Sequence, residues 1–371
     1  MAERPSPLEV LGMKQFGDLY RGKRVLLTGH TGFKGSWLAL WLHELGAEVT
    51  GVSLPPEARP NHWDLLQLPV DDCRLDIRDS SALQQVFAEK QPEIVFHLAA
   101  QPLVRRSYRD PLETWSTNVM GTANVLEACR QQTTVRAIVA ITTDKCYENR
   151  EWPWGYREND RLGGHDPYSA SKAGAELVAA SYRKAFFNAG TAPLLATARA
   201  GNVIGGGDWS EDRLIPDLIR ALEKGQSLEI RSPQATRPWQ HVLESLSGYL
   251  LLGQRLFAGE LSYEEAWNFG PEPEGNRTVS EVLGKLNQHW RGLHWHVTEK
   301  PQPHEANLLY LDSAKARSQL HWQPVWSIDT TLAKTTDWYR AWLEGGAIIS
   351  RQQLAEYVTA AGQAHVEWAK S

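Results

Sequence analysis

Lys23-Arg24-Val25-Leu26-Leu27-Thr28-Gly29-His30-Thr31-Gly32-Phe33-Lys34-Gly35-Ser36-Trp37-Leu38-Ala39-Leu40-Trp41-Leu42-His43-Glu44-Leu45 places an apolar run, three glycines spaced by three, and a second apolar run in succession. This order predicts a strand over Lys23–Thr28, a tight turn over Gly29–Gly35 and a helix over Ser36–Leu45. Glycine at 29, 32 and 35 lets the backbone turn sharply, approach a pyrophosphate and pack helix on strand. The helix N-terminus adds free N–H groups and a positive dipole end for an anion. The stretch therefore predicts a dinucleotide-binding unit that opens a parallel α/β sheet.

Further along, Glu48–Ser53 reads as a second strand, but Ser53 stands where an acidic residue would grip the adenosine ribose. Arg59 is too far along to argue for a 2′-phosphate, so this position leaves NAD and NADP open. Ala137-Ile138-Val139-Ala140-Ile141 has the length and β-branching of a buried parallel strand. Thr142-Thr143-Asp144-Lys145-Cys146-Tyr147 then lies at its carboxyl end, where open α/β sheets bind ligands. Tyr168 and Lys172, in Tyr168-Ser169-Ala170-Ser171-Lys172, share a helix face. An ammonium beside a phenol favours the phenolate and makes Tyr168 a usable base. A bare Tyr-x-x-x-Lys also arises by chance on exposed helix faces, so the surrounding context carries the reading. Asp144 and Lys145 exceed what hydride transfer alone requires.

These motifs resemble the extended short-chain dehydrogenases/reductases, the group of nucleotide-sugar epimerases and dehydratases, from about residue 20 to 345. Asp76-Ile77-Arg78-Asp79, His97-Leu98-Ala99-Ala100-Gln101 and Thr117-Asn118 extend the match. Thr143-Asp144-Lys145 occupies the place where sugar-nucleotide 4,6-dehydratases carry Thr-Asp-Glu, and epimerases carry small residues there. The Asp-Lys variant, the Gly29–Gly35 turn and Arg237-Pro238-Trp239-Gln240-His241-Val242 resemble the CDP-glucose 4,6-dehydratases among them. The resemblance implies a Rossmann-like doubly wound parallel sheet with a smaller mixed α/β substrate lobe. It also implies NAD bound by Gly29, Thr31, Gly32, Phe33, Lys34, Gly35, Ser53, Asp76, Ile77, Leu98, Ala99, Ala100, Gln101, Asn118, Tyr168 and Lys172. Asn202, Arg213, Arg237 and His241 match places that hold the sugar nucleotide. Guanidinium forks suit a diphosphate, although any single arginine can equally be a solvated surface charge.

The implied activity is a lyase that makes CDP-4-dehydro-6-deoxy-D-glucose from CDP-D-glucose, for deoxysugar biosynthesis such as that of lipopolysaccharide O-antigen. Tyr168, Thr143 and Lys172 would serve oxidation at C4, while Asp144 and Lys145 would serve loss of water. A lysine replaces the family's glutamate at the C5 base, and it can act as base only if its pKa is lowered. Otherwise Lys145 stays charged and pairs with Asp144 or polarises the ketone. The cofactor is regenerated each cycle, which favours NAD over the reduced pool that NADPH represents. A 4-epimerase or reductase would use Tyr168 and Lys172 and ignore Asp144 and Lys145; a dinucleotide-sensing protein without turnover would need none of them.

Composition fits a cytoplasmic enzyme, and the resemblance implies a homodimer or homotetramer. The 371 residues, 42% hydrophobic, suffice for a full doubly wound domain and a second lobe. The expected division is 20–200, 201–345 and a tail over 346–371. A net charge of -5 without a basic cluster disfavours nucleic acid as partner. No apolar run has membrane-spanning length, and the polar start Met1–Pro5 is unlike a signal peptide. Three scattered cysteines predict free thiols, and the 12 histidines form no metal-binding pattern. The 16 tryptophans read as core or interface packing, and the tail's Leu354, Tyr357 and Val358 as one helix face that docks on the body or on a partner.

Overall fold

The computed structural model describes residues 14–187, 190, 193–290, 292–298 and 308–370; Met1–Pro5 lies outside the described residues. Seven strands form the central sheet: β1 (Arg24–Thr28), β2 (Glu48–Ser53), β3 (Asp71–Arg74), β4 (Ile94–His97), β5 (Ala137–Ile141), β6 (Leu194–Ala200) and β7 (Ala266–Phe269). All neighbours run parallel, in the order β7-β6-β5-β4-β1-β2-β3. This is the doubly wound α/β sheet that the sequence predicts. The winding reverses beside β1, whose Thr28 is paired with Val52 on one side and His97 on the other. Such a reversal opens a crevice at the carboxyl ends of the strands. Thr28 pins that crevice: its hydroxyl accepts the N–H groups of Leu98 and Ala99, each at 3.1 Å, and lies 2.7 Å from His97 Nδ1.

Strand alternation divides the core. Leu26, Val52, Val95 and Ile138 face one layer, which includes Leu83 and Phe87 of α2 (Ser80–Lys90) and Val125, Leu126 and Cys129 of α3 (Gly121–Arg130). Ala179 of α4 (Pro167–Ala185) belongs to the same layer. Val25, Leu27 and Val139 face the other, formed by α1 (Phe33–Glu44) and α5 (Val242–Phe257). The chain after residue 200 crosses back over this sheet, since α5 packs on β5 and β6 and β7 closes the sheet edge.

α1 is apolar on every side because it is sandwiched: Gly35 through Leu42 are all buried. Its outer face is covered by α6 (Ile328–Gly345) and α7 (Ser350–Gln363). Leu354, Tyr357 and Val358 are buried there, so the tail docks on its own chain. Trp368 stacks on Phe16 at 5.1 Å and on Tyr357 at 5.8 Å between ring centroids. Trp37, Trp41, Trp267, Trp322, Trp338 and Trp368 are fully buried, which assigns these tryptophans to the core.

The start of the first helix differs from the sequence reading. α1 begins at Phe33, not Ser36, with Gly32 as its N-cap. The glycine segment therefore supplies the first helical turn, and Gly35 packs so tightly that a Cβ there would sit 2.0 Å from the Gly29 carbonyl oxygen. β6 runs to Ala200, with Arg199 buried within the sheet. Asn118 lies in the π-turn Ser116–Met120, where an extra backbone residue per turn re-aims a side chain.

Candidate active site

A cavity of about 740 Å³ opens at the carboxyl ends of the strands. Its cofactor half is built from the glycine turn. Gly29 has φ +78° and would bring a Cβ within 2.7 Å of the Ala99 nitrogen, so only glycine fits between the first turn and the end of β4. α1 has no side-chain cap and no acidic residue in its first turn, which leaves its N-terminal N–H groups for an anion. Thr31 and Ser53 share a 2.8 Å hydrogen bond across this turn. Asp76, Ile77, Leu98, Ala99, Ala100 and Gln101 line the same half. The chain Leu54–Ala58 closes over it, and Glu57 is held there by Arg106 at 2.6 Å. The residues present thus form a cradle for a dinucleotide diphosphate.

The reactive groups meet opposite this cradle. Thr143 caps the short turn Asp144–Cys146 and donates to Asp144 Oδ1 at 3.0 Å. Asp144 Oδ2 is buried with no hydrogen-bond partner among the described residues. Burial raises the Asp144 pKa, against the pull of Lys145, the Thr143 hydroxyl, Arg237 and Lys34. Lys172 is buried, lowered to about 8 by desolvation, and donates from Nζ to the Ile141 carbonyl oxygen at 3.1 Å. Tyr168 is pushed up to about 12 by burial, while the Thr143 hydroxyl and the Arg213 charge work the other way. The expected phenolate is therefore not the state this protein environment favours: desolvation outweighs the neighbouring cations. Lys34 is also buried, lowered to about 7 by desolvation and by Arg213, and its Nζ lies 3.3 Å from the Tyr249 hydroxyl.

Asn202, Arg213 and Arg237 line the remaining part of the cavity, together with Lys145. Arg213 sits at the N-cap of the helix Leu214–Glu223, and Arg237 is buried on the short strand Thr236–Pro238. Arg105 reaches across the mouth to Asp212 at 3.0 Å, and Arg109 bonds Glu211. Two expected contact residues stand away from the cavity. His241 is fully buried as the N-cap of α5, between Trp37 and Trp326, and desolvation holds it neutral at about 3. Asn118 is also buried and works through Gln101: its Oδ1 accepts the Gln101 N–H at 2.8 Å, and its Nδ2 donates to Ser171 at 2.9 Å. It orients the cofactor wall without forming part of it. Sequence reasoning missed Glu176, buried one helical turn beyond Lys172, and its partner Arg199; the continued spacing 168, 172, 176 was the available signal.

Residues 26–335 match the model of the GDP-mannose 4,6 dehydratase family. The chain belongs to this family. Within the GDP-mannose 4,6 dehydratase family it resembles a CDP-glucose 4,6-dehydratase of Salmonella typhimurium, 49% identical over 352 residues, covering 92% of this chain and 98% of that protein. Among solved structures, the epimerase Mth375 of Methanothermobacter thermautotrophicus superposes with a TM-score of 0.79 at 25% identity, covering 91% of this chain and 96% of that one. DesIV, a dTDP-glucose 4,6-dehydratase of Streptomyces venezuelae with NAD and TYD bound, gives 0.73 at 25% identity, covering 85% and 96%. Dehydratases and an epimerase thus share this scaffold, and the groups in the cavity must separate them.

Proposed function

We propose that this protein is an NAD-dependent hydro-lyase that converts CDP-D-glucose to CDP-4-dehydro-6-deoxy-D-glucose. The observation that carries the reading is the buried Asp144 oxygen, without a hydrogen-bond partner among the described residues, in the cavity that Tyr168, Thr143 and Lys172 also line. A carboxyl group held above its usual pKa is a proton donor, which water loss needs and 4-epimerisation does not. The choice of CDP-glucose follows the Salmonella relative.

In this reading Tyr168 accepts the proton of the sugar 4-hydroxyl, with Thr143 bonding the same oxygen. The glycine cradle would hold NAD, which would supply the acceptor for hydride from C4 and its donor to C6. Once C4 is a ketone, the C5–H is acidic and Lys145 removes that proton. Asp144 protonates the leaving 6-hydroxyl, which departs as water; a solvent-derived proton is then delivered to C5 as hydride returns to C6, and the proton taken by Tyr168 makes good, through solvent, the one that Asp144 gave. Asn202, Arg213 and Arg237 hold the diphosphate; residues 20–200 carry the cofactor half and 201–345 most of the sugar-nucleotide half.

We further infer a cytoplasmic homo-oligomer that serves deoxysugar assembly. Leu112, Trp115 and Met120 stand exposed beside α4, whose Leu177 is 61% exposed, a patch suited to a second copy of the chain. All three cysteines are free. No helix among the described residues is long and apolar enough to cross a membrane. Incubation with CDP-, dTDP-, GDP- and UDP-hexoses, followed by mass measurement, tests the function. Loss of one water from CDP-glucose supports it; unchanged CDP-glucose in the presence of NAD overturns it.

A further inference from the structure

Behind the cavity wall, the carboxylate of Glu176 is 3% exposed and fully hydrogen-bonded. Its Oε1 accepts from the Thr142 hydroxyl and from Arg199 Nε at 2.9 Å. Its Oε2 accepts from Thr197 Oγ1 and Arg199 Nη2, each at 2.8 Å. Arg199, equally buried, donates from Nη1 to the Tyr147 phenol oxygen at 2.7 Å and lies over the Tyr147 ring at 4.9 Å. The Tyr147 hydroxyl in turn donates to Asn268 Oδ1 on β7 at 2.7 Å. Neither Glu176, Arg199 nor Tyr147 lines the cavity.

The placement has a consequence for geometry. Thr142 and Tyr147 are the two residues that bracket Thr143–Cys146, so the ion pair grips both ends of the turn that presents Asp144 and Lys145. Glu176 also shares one face of α4 with Tyr168 and Lys172. A buried ion pair is a weak device for stability, because apolar residues of similar volume stabilise a core as well or better. A bidentate guanidinium–carboxylate fork is, however, a strong device for fixing relative position.

We propose that Glu176 and Arg199 are positioning residues that hold the elimination pair, Asp144 and Lys145, in register with the oxidation pair, Tyr168 and Lys172. The inference rests on the dehydratase reading and adds to it: loss of the fork uncouples the two halves of the reaction. Displacement of a reacting group by about 1 Å typically costs ~10²-fold in rate, and here the cost falls more heavily on water loss, which needs both Asp144 and Lys145 from the turn, than on oxidation, for which the turn supplies only Thr143.

The test uses the full chain with CDP-glucose and NAD. Variants are Glu176→Gln, the charge-neutral double variant Glu176→Gln with Arg199→Met, and the milder Tyr147→Phe, which removes the hydroxyl that links Arg199 and Asn268 to the turn and leaves the Glu176–Arg199 fork in place. Three quantities are read: absorbance of enzyme-bound reduced nicotinamide, loss of water by mass, and solvent deuterium at C5. The expected result is reduced nicotinamide that accumulates on the enzyme while water loss falls by about 10²-fold in the Glu176 variants, with a smaller shift in the same direction for Tyr147→Phe. If the Glu176 variants do not fold, Tyr147→Phe decides. Equal loss of both half-reactions in a folded variant overturns the positioning role. A wild-type chain that removes no water from CDP-glucose overturns the dehydratase reading itself, which separates the two failures.

Discussion

The Lys172 ammonium donates to the Ile141 carbonyl oxygen at 3.1 Å, which joins the helix that carries Tyr168 to the end of the strand that delivers Thr143 and Asp144. The lysine thus ties together two segments that line the cavity. Because it is buried and lowered to about 8, its proton is not fixed against modest alkalinity.

Tyr168→Phe removes the acceptor of the sugar 4-hydroxyl proton while keeping the ring that fills its site. Turnover should fall by about 10²- to 10⁴-fold, with reduced nicotinamide and water loss abolished together. Initial rates, with thermal melting as the control for folding, check this; near-normal turnover removes Tyr168 from the mechanism.

In the proposed mechanism Asp144 and Lys145 act only after the ketone forms, so Asp144→Asn and Lys145→Ala leave oxidation in place. Both should still reduce bound NAD and then stall, with water loss slowed by about 10²-fold or more. Exchange of the C5 proton with solvent should persist in Asp144→Asn and stop in Lys145→Ala. Normal C5 exchange in the lysine variant would reassign the base.

β2 and β5 were legible to the residue, since short apolar runs bounded by turn residues leave little choice of register. The glycine turn was legible as chemistry but misread by three residues at the helix start, because glycine spacing does not reveal that Phe33 already adopts helical geometry. Arg199 and its partner Glu176 are distant in sequence, and local patterns cannot pair them. His241 sat inside a distinctive motif, yet only tertiary packing shows that Trp37 and Trp326 enclose it. For Tyr168, the helix spacing exposed the neighbouring lysine but not the depth of burial that outweighs it.

The tail contributes to stability through its apolar face. Leu354 is fully buried against the body, so Leu354→Ala should cost about 2–5 kcal/mol in denaturant unfolding. A cost below about 0.5 kcal/mol, the level of an exposed site, would contradict docking of α7.

Glu244 gives this docking a pH signature. Its carboxyl is pushed up to about 7 from 4.5 by burial, against the N–H groups of Trp326 and Val325 and the Tyr357 hydroxyl that bond it. Between those values the folded chain retains a proton that the unfolded chain has lost. Stability from this group is therefore fully present below about 4.5 and lost as pH rises through about 7, on the order of 3 kcal/mol in all. Glu244→Gln should flatten that part of the stability profile. Equal slopes for both proteins across this window would place the charge elsewhere.

The most direct test of the account follows the hydrogen at C4. With CDP-glucose deuterated at C4 and catalytic NAD, the product should carry that deuterium at C6 and solvent hydrogen at C5, with no net accumulation of NADH. A C6 hydrogen drawn from solvent, or one NADH formed per sugar consumed, would contradict the internal hydride relay and with it the dehydratase assignment.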